Sequence, residues 1–306
     1  MAKKVVVIGS VNYDNFLQVD TLPLKGETKQ ALSYANSCGG KGANQAIQCA
    51  KLGLDTRMVA RVGNDTFGSI LYDNFKNNNV NNDMVKVTDG PSGIGYVISA
   101  LDGSLFSTIL NGANFEITTD DIDEVSDDFD RDTIVVLQLE IPSDVVEYTI
   151  KEANKKGARI VLNAAPAVPI DINLFDLCEL VIFNEAEAMF YTETVFNSLE
   201  EAERVLRDFG KKNKCDLCFT LGPLGALYYR KGDIFYCPAI DVPVVETTGA
   251  GDSFIGGLVY AMNRNENIET MLNIASLCSA YTIQEIGTTT SMPTEKELYE
   301  GIKKYL

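Results

Sequence analysis

A run of small residues that contains one carboxylate, GAGDSFIGG at positions 249–257, is the strongest candidate for chemistry in the sequence. It stands before a stretch with apolar residues at helical spacing, so it is predicted to open a helix. Small residues at a helix start let backbone N–H groups approach an anion, and the helix dipole favours negative charge there. Asp252, in the first turn, could then accept a hydroxyl proton during phosphoryl transfer. An acidic helix start whose glycines serve only packing is the alternative.

A second glycine-rich segment, GGKGANQA at positions 39–46, opens the first clear helical pattern. Its glycines allow close approach of the backbone, and Lys41 and Asn44 project from the predicted helix start. This combination predicts a site for a polar ligand. A simple glycine-rich turn is the alternative.

Polar residues also stand at the predicted ends of several strands. Asn12 and Asp14 alternate just past the first strand, Glu140 ends TIVVLQLE, and Asn184 and Glu187 follow LVIF. Open α/β sheets bind ligands beyond the carboxyl ends of their strands. A single acid at such a position is more often a helix cap, but several at one edge predict a binding site.

Other phosphate-binding motifs do not fit. No GxxxxGK[ST] segment occurs, and Phe254 stands where a dinucleotide-binding fingerprint needs its third glycine. The chain also has no histidine, which excludes Ser-His and Cys-His mechanisms and histidine-ligated metals.

The composition limits the partners. Twenty-six basic and 43 acidic residues give a formal net charge of −17, which repels nucleic acid and anionic membrane surfaces. Neither is expected as a partner. A nucleotide phosphate would therefore need local donors such as helix N-termini, a lysine or a metal ion.

The seven cysteines are scattered along the chain, and a chain of this size does not need disulfides. Cys215 and Cys218 form a CxxC inside an apparent buried strand, which favours structural thiols over a redox or zinc site. The apolar run Val5–Ile8 is too short for a signal peptide or a membrane span, so a cytoplasmic protein is expected.

The elements that would position these residues follow an alternating pattern. Short β-branched runs begin near residues 5, 57, 133, 158, 180 and 218, with helical patterns between them. This alternation predicts an α/β fold with a doubly wound, mostly parallel sheet flanked by helices.

Two stretches lack the helical pattern. Residues of about 12–37 and 91–111 read as antiparallel hairpins, and we expect them to form a small β-sheet lid within a single domain that spans residues 1–306. Ordinary surface hairpins are the alternative. Tyr96 in this segment could narrow a ligand pocket or pack the lid sheet.

Taken together, these segments resemble the ribokinase family of carbohydrate and nucleoside kinases from Val5 to about Pro293. GGKGANQA and TTGAGDSFIGG resemble its two sequence signatures, and NEAE, which begins at Asn184, resembles its NxxE motif. The resemblance implies a Rossmann-like core with a β-lid, and an ATP-dependent transfer of phosphate to a primary hydroxyl.

The resemblance also implies roles for residues in the matched motifs. Asp252 would be the catalytic base, with an anion hole formed by the amides of Gly249, Ala250 and Gly251. The sugar would be bound by Asn12, Asp14, Gly40, Lys41, Asn44, Glu140 and Asp252. These paired oxygens and amides suit vicinal hydroxyls and favour ribose. Fructose, a nucleoside, a deoxy-sugar acid and a non-catalytic sugar-binding regulator are the alternatives.

Cofactor sites are implied in the same way. ATP would be bound by Asn184, Thr220, Leu221, Gly222, Pro223, Leu224, Gly225, Gly251 and Ser276. Mg²⁺ would lie near Asn184 and Glu187, acting through metal-bound waters. A monovalent cation such as K⁺ would lie near Glu246, Thr248, Thr282, Glu285, Gly287 and Ser291. Glu246 stands where the family has an aspartate, so the resemblance carries over less directly to this cation site than to the catalytic base. The family also pairs two lids, which implies a homodimer.

Overall fold

The computed structural model describes residues 4–305. Positions 1–3 and 306 of the predicted single domain lie outside the described part. Within it the strands are β1 (Lys4–Ile8), β2 (Asn12–Val19), β3 (Ser33–Gly39), β4 (Thr56–Gly63), β5 (Asn81–Thr88), β6 (Gly93–Ala100), β7 (Leu105–Leu110), β8 (Thr133–Leu137), β9 (Arg159–Asn163), β10 (Leu180–Asn184), β11 (Asp216–Thr220), β12 (Ala226–Arg230) and β13 (Asp233–Cys237). The α-helices are α1 (Lys41–Lys51), α2 (Thr66–Asn77), α3 (Thr119–Val125), α4 (Ser143–Lys156), α5 (Glu185–Thr192), α6 (Leu199–Gly210), α7 (Ala250–Asn263), α8 (Ile268–Thr282) and α9 (Glu295–Tyr305).

Nine strands form the main sheet in the order β13-β12-β11-β10-β9-β8-β1-β4-β5. Seven of them pair in parallel, and β12 and β13 add an antiparallel edge. The central strands carry β-branched and apolar residues that are buried on both faces, as parallel strands covered by helices require.

The two faces of the sheet are covered by different helices. Val5 and Val7 of β1 belong to a hydrophobic cluster that includes residues of α1, α7 and α8, whereas Val6 and Ile8 belong to a second cluster with residues of α4 and α6. The alternation of side chains along a strand accounts for this division. The predicted doubly wound α/β fold is confirmed.

The remaining four strands form a separate sheet in the order β3-β2-β6-β7, which we call the lid sheet. Strand β2 pairs in parallel with β6, and β3 and β7 are antiparallel to their neighbours. The lid sheet therefore joins the two predicted hairpin stretches, and the expectation of a small β-lid is confirmed. Its register places Gly95 opposite Asp14, so Tyr96 points to the other face and does not line the ligand side.

The sequence patterns missed three strands of the main sheet and placed the end of another too late. Strands β5, β12 and β13 were not predicted, because their sequences are polar or lie close behind another strand. Strand β8 ends at Leu137, so Glu140 lies three residues beyond the strand that it was expected to end.

Cys215 and Cys218 are buried free thiols. In the described part of the chain, no helix is both long and apolar enough to cross a membrane.

Candidate active site

The candidate site lies where the carboxyl ends of the parallel strands meet the start of α7. A cavity of about 930 Å³ opens there, and its lining includes Lys41 of α1, Asn184 at the end of β10, Thr220 at the end of β11, and Gly251 and Asp252 of α7. Crevices at this edge are the usual ligand sites of open α/β sheets. The fold thus brings together candidate residues from four separate segments.

Asp252 is buried and held by two amide donors from α1. Asn44 Nδ2 donates to its Oδ2 at 2.8 Å, and Gln45 Nε2 donates to its Oδ1 at 2.9 Å. Burial raises the pKa of Asp252 above its ordinary value, and Lys41 together with the two amide hydrogen bonds opposes that rise. The result is a fixed carboxylate that can serve as a general base.

The ammonium of Lys41 lies amid the acidic groups of the site. Burial disfavours its charge, but the carboxylates of Asp252, Glu140, Glu187 and Asp14 outweigh burial and raise its pKa above the ordinary value. It has no direct ion pair within residues 4–305. A lysine that stays charged and lines the cavity is suited to attract a transferring phosphate.

A second group of polar residues combines Asn12 and Asp14 of the lid strand β2 with Glu140, which lies three residues beyond β8. Burial, with Glu140 and Asp252 nearby, raises the pKa of Asp14 to about 6. Its carboxylate makes no hydrogen bond to any described residue. Asn12 accepts a 2.8 Å hydrogen bond from Asn114, and Glu140 accepts from Ser10 Oγ at 2.5 Å and from the Lys41 amide at 3.3 Å.

Asn44 and Gly40 complete this group for different reasons. Asn44 Oδ1 is buried and has no hydrogen-bond partner in the described chain, so it is available to a ligand donor. Gly40 has φ +91°, and a Cβ there would lie 2.8 Å from backbone atoms of residues 10–12. Glycine is therefore required for the chain to turn into α1 at this point.

The start of α7 has the form of an anion hole. Gly249 is the N-cap with φ +81°, and Ala250, Gly251 and Asp252 follow in the first turn. A Cβ on Gly251 would meet no atom within 4 Å, since the residue faces the open cavity. The Ala250 N–H donates to the Thr247 carbonyl at 3.2 Å, whereas the N–H groups of Gly249 and Gly251 have no partner among the described residues. These two free N–H groups and the dipole of the helix favour a phosphate there.

Asn184 and Glu187 form a capping box at the start of α5. The Asn184 amide N–H donates to Glu187 Oε2 at 2.8 Å, Asn184 Nδ2 donates to Oε1 at 2.8 Å, and the Glu187 N–H donates to Asn184 Oδ1 at 3.0 Å. Each oxygen of Glu187 keeps a free lone pair, so the pair fits a magnesium ion bound through water. Across residues 4–305 no group of three or more acidic or thiol side chains is placed to hold a metal ion.

The loop after β11 supplies most of the predicted nucleotide contacts. Thr220, Gly222, Pro223 and Gly225 line the cavity, as does Ser276 of α8. The other two predicted residues differ. The side chain of Leu221 is buried in the hydrophobic core, and Leu224 lines a smaller neighbouring cavity.

Comparison with known proteins agrees with this geometry. The model of the pfkB family carbohydrate kinases matches residues 2–295. This chain belongs to the pfkB family of carbohydrate kinases.

Individual relatives of this pfkB kinase are similar over their whole length. The deoxyribokinase of Salmonella typhimurium is 30% identical over 298 residues, which cover 97% of each chain. The ribokinase of Mus musculus is 30% identical, with 97% of this chain and 94% of the relative covered. The solved structure of Arabidopsis thaliana ribokinase complexed with ribose and ATP superposes with a TM-score of 0.90 at 31% identity, covering 99% of each chain. The protein is thus a phosphotransferase with an alcohol group as acceptor.

The predicted cation region of the pfkB kinase is held by hydrogen bonds. The Gly287 amide donates to Glu246 Oε2 at 3.1 Å, and Ser291 Oγ donates to the Thr288 carbonyl at 3.0 Å. Thr282 is buried, and its hydroxyl donates to Ser253 Oγ at 2.8 Å. Thr248 and Glu285 are exposed. The structure thus links Glu246 directly to one member of the predicted set.

Four residues at the site of this pfkB kinase were not identified from its sequence patterns. Gln45 contacts Asp252 directly, Asn163 at the end of β9 lines the cavity, and Gly39 and Gly95 flank the Asp14 carboxylate. Gln45 and Gly39 lie inside the GGKGANQA segment and could have been included from it. Gly95 could not, because its contact depends on the pairing of β2 with β6.

Proposed function

We propose that this pfkB kinase transfers the γ-phosphoryl group of ATP to the 5-hydroxyl of D-ribose, with Asp252 as the base. The observation that carries this proposal is the position of Asp252. Its carboxylate lies at the cavity, in the first turn of a glycine-lined helix, and it is hydrogen-bonded by residues of the helix that starts with Lys41.

The proposed nucleotide site is the cavity beside α7. It is large enough for a nucleotide, and apolar residues such as Ile240 and Ile283 line it together with Ser276. The Arabidopsis relative, whose structure holds ribose and ATP, supports ATP as the donor. In this site the amides of Gly249 and Gly251 would bind the transferring phosphate, and the Ala250 amide would have to share the hydrogen that it donates to the Thr247 carbonyl.

The proposed sugar site lies between the lid sheet and α1. The free carboxylate of Asp14 and the unpaired Oδ1 of Asn44 are both acceptors, which suits the hydroxyl donors of a pentose. Asn12, Gly40, Lys41 and Glu140 would complete this site. The lid would exclude water that could otherwise accept the phosphate.

The proposed step is an in-line displacement. The 5-oxygen of the sugar forms a bond to the γ-phosphorus, the bond from that phosphorus to the bridging oxygen breaks, and ADP leaves. The hydroxyl proton passes to Asp252, while Lys41 and the helix amides stabilise the charge on the phosphoryl oxygens. Magnesium near Asn184 and Glu187 would neutralise phosphate charge, and a monovalent cation near Glu246 would stabilise the loop beside the anion hole.

A second candidate substrate is 2-deoxy-D-ribose. The Salmonella deoxyribokinase is as similar to this chain as the mouse ribokinase, at 30% identity each. Both sugars carry the same 5-hydroxyl, so the phosphate chemistry would be unchanged. Only contacts to the 2-hydroxyl would distinguish them.

We further propose that the protein forms a homodimer through its lid sheet. On the face of this sheet away from Asp14, the apolar side chains of Tyr34, Phe106 and Leu110 are half exposed or more. A second copy would cover this surface and the edges of the sheet. Sedimentation of the wild-type protein tests this, and a monomer at micromolar concentration would contradict it.

The function is tested by coupled assay of ADP formation with D-ribose, 2-deoxy-D-ribose, fructose, a nucleoside and a deoxy-sugar acid. We expect the highest kcat/KM with D-ribose. A higher value with 2-deoxy-D-ribose would support the second candidate. Turnover with none of these sugars, together with measurable sugar binding, would instead favour a non-catalytic sugar-binding regulator.

A further inference from the structure

Asp252 is connected to two buried glutamines that lie outside the sugar and nucleotide sites described above. Gln45 Nε2 donates to Asp252 Oδ1 at 2.9 Å, and Gln45 Oε1 accepts a 2.7 Å hydrogen bond from Gln138 Nε2. Both glutamine residues are fully buried. Three polar side chains from α1, α7 and the segment after β8 thus form one chain of hydrogen bonds.

The ionised carboxylate of Asp252 determines which way each side-chain amide in this series of hydrogen bonds must point. An ionised Asp252 only accepts hydrogen bonds, so Gln45 must present its NH₂ group to it and its oxygen to Gln138. Gln138 must then present its own NH₂ group, which leaves Gln138 Oε1 buried without a partner in the described residues. An unpaired buried oxygen is unfavourable, so the arrangement needs a compensating advantage.

Gly9 lies next to Gln138 Oε1, the oxygen that has no hydrogen-bond partner in the described residues. A Cβ at position 9 would lie 1.9 Å from Gln138 Oε1, so only glycine leaves room for this side chain. The glycine that follows β1 therefore permits the orientation of Gln138, which in turn holds Gln45 against Asp252.

The hydrogen bond from Gln45 to Asp252 acts in addition to the charged groups that surround the carboxylate. Lys41 favours the ionised carboxylate, whereas Asp14, Glu140 and Glu187 are acidic groups that oppose it. Asn44 supplies the second amide donor, to the other oxygen. Each oxygen of Asp252 thus receives one amide hydrogen bond and retains lone-pair capacity for a substrate proton.

We propose that Gln45 and Gln138 are positioning residues that keep Asp252 ionised and fix its orientation toward the acceptor hydroxyl. This inference rests on the proposed role of Asp252 as the base. Gln45 acts directly on the carboxylate, and Gln138 acts through Gln45. A pair of glutamines that only satisfied each other within the core would leave the ionisation of Asp252 unaffected.

The test compares three glutamine-to-methionine variants of similar side-chain size. Gln45→Met removes the donor to Asp252, Gln138→Met removes only the second hydrogen bond, and Gln48→Met is the matched control. Gln48 is also fully buried on α1, but it bonds Ser253 and the Pro293 carbonyl and does not contact Asp252. Thermal unfolding of each variant measures the purely structural cost.

Two readouts follow Asp252 itself. Carbon-13 NMR of protein labelled at the aspartate carboxyls gives its pKa, with the resonance assigned by its loss in Asp252→Asn. The acid limb of kcat against pH, at saturating ribose and ATP, gives the functional pKa. We expect Gln45→Met to move both upward by about one pH unit, the effect of losing one hydrogen bond to a charged group. Gln138→Met should give a smaller shift in the same direction, and Gln48→Met none.

An unchanged pKa of Asp252 in both Gln45→Met and Gln138→Met would overturn the inference, as would an equal shift in Gln48→Met. If one of the first two variants does not fold, the other decides the question. The NMR titration needs no turnover, so it separates this inference from the proposed function, which fails if the wild-type protein phosphorylates no sugar.

Discussion

Asp14 lies directly opposite Gly95 in the lid sheet, and a Cβ at position 95 would lie 2.2 Å from Asp14 Oδ1. Gly39 adjoins the other oxygen of the same carboxylate, where a Cβ would lie 1.9 Å from Oδ2. The two glycines thus make room for the carboxylate between neighbouring strands. The position of Asp14, which we propose contacts the sugar, depends on residues that carry no functional group.

The first prediction concerns Gly95→Ala. The new methyl group must displace the Asp14 carboxylate, so we expect the KM for ribose to rise by about 10- to 100-fold, the equivalent of one hydrogen bond to a charged group. The KM for ATP should stay unchanged. Steady-state kinetics measure both, with Thr108→Ala on the other face of the lid sheet as the control. An unchanged KM for ribose would contradict a sugar-binding role of Asp14.

The second prediction concerns the pH dependence of stability. The pKa of Asp14 is raised to about 6 in the folded protein, against about 3.9 for an unperturbed aspartate. The folded state therefore binds this proton more tightly, and stability from this group falls as pH rises from about 4 to 6. We expect Asp14→Asn to be more stable than the wild type at pH 7, by up to about 3 kcal/mol, while ribose binding weakens.

Urea unfolding at pH 7 and pH 4 measures this difference. The difference in the free energy of unfolding should disappear near pH 4, where Asp14 of the folded wild type is protonated and position 14 is neutral in both proteins. Equal stability of the two proteins at pH 7 would show that the ionised Asp14 carboxylate does not lower the free energy of unfolding, although its raised pKa implies that it does. Asp14 would then be a group that the binding site retains for its function although it lowers the stability of the folded protein.

These relationships also show which parts of the site the sequence predicts. The glycine-rich segments at 39–46 and 249–257 predicted two helix starts, and the parallel α/β fold followed from local hydrophobic patterns. The contacts between the segments did not follow, because Asn44 and Asp252 are 208 residues apart. Gln45 lies inside the first glycine-rich segment and could have been included from it. Gly95 has no local signal of function, because its contact with Asp14 depends on the pairing of β2 with β6.

The third prediction concerns the proposed base. Asp252→Asn should lower kcat by about 100- to 10,000-fold, since an amide cannot accept the hydroxyl proton. Sugar binding, measured by calorimetry, should be largely retained because the side chain keeps its size. Turnover near the wild-type level would refute the assignment of Asp252. Loss of both binding and turnover would show that the substitution had disrupted the pocket rather than removed the base alone.

The fourth prediction concerns Glu246, whose Oε2 accepts a hydrogen bond from the Gly287 amide at 3.1 Å. Glu246→Gln retains an oxygen for this hydrogen bond but removes the charge. If the carboxylate helps to bind a monovalent cation, the K⁺ concentration for half-maximal activity should rise by about 10-fold or more. Titration of kcat with KCl, against an equal series of tetramethylammonium chloride, measures the effect. Activity that is independent of K⁺ in the wild type would contradict a cation site here.

The fifth prediction separates two neighbouring glycines at the start of α7. Gly249 has φ +81°, and a Cβ there would lie 2.5 Å from Thr288 Cγ2, so Gly249→Ala should lower the free energy of unfolding by about 1–2 kcal/mol or more. Gly251 is helical, and its Cβ would meet no protein atom within 4 Å. Gly251→Ala should therefore leave stability unchanged or slightly higher.

The same methyl group would project into the cavity where we propose that phosphate lies, so kcat/KM for ATP should fall by about 10-fold or more in Gly251→Ala. Urea unfolding and steady-state kinetics on both variants distinguish the two effects. If Gly251→Ala kept full activity, phosphate would not approach the backbone at this residue. The anion hole would then have to lie elsewhere along the start of α7, and the position of Asp252 beside it would lose its explanation.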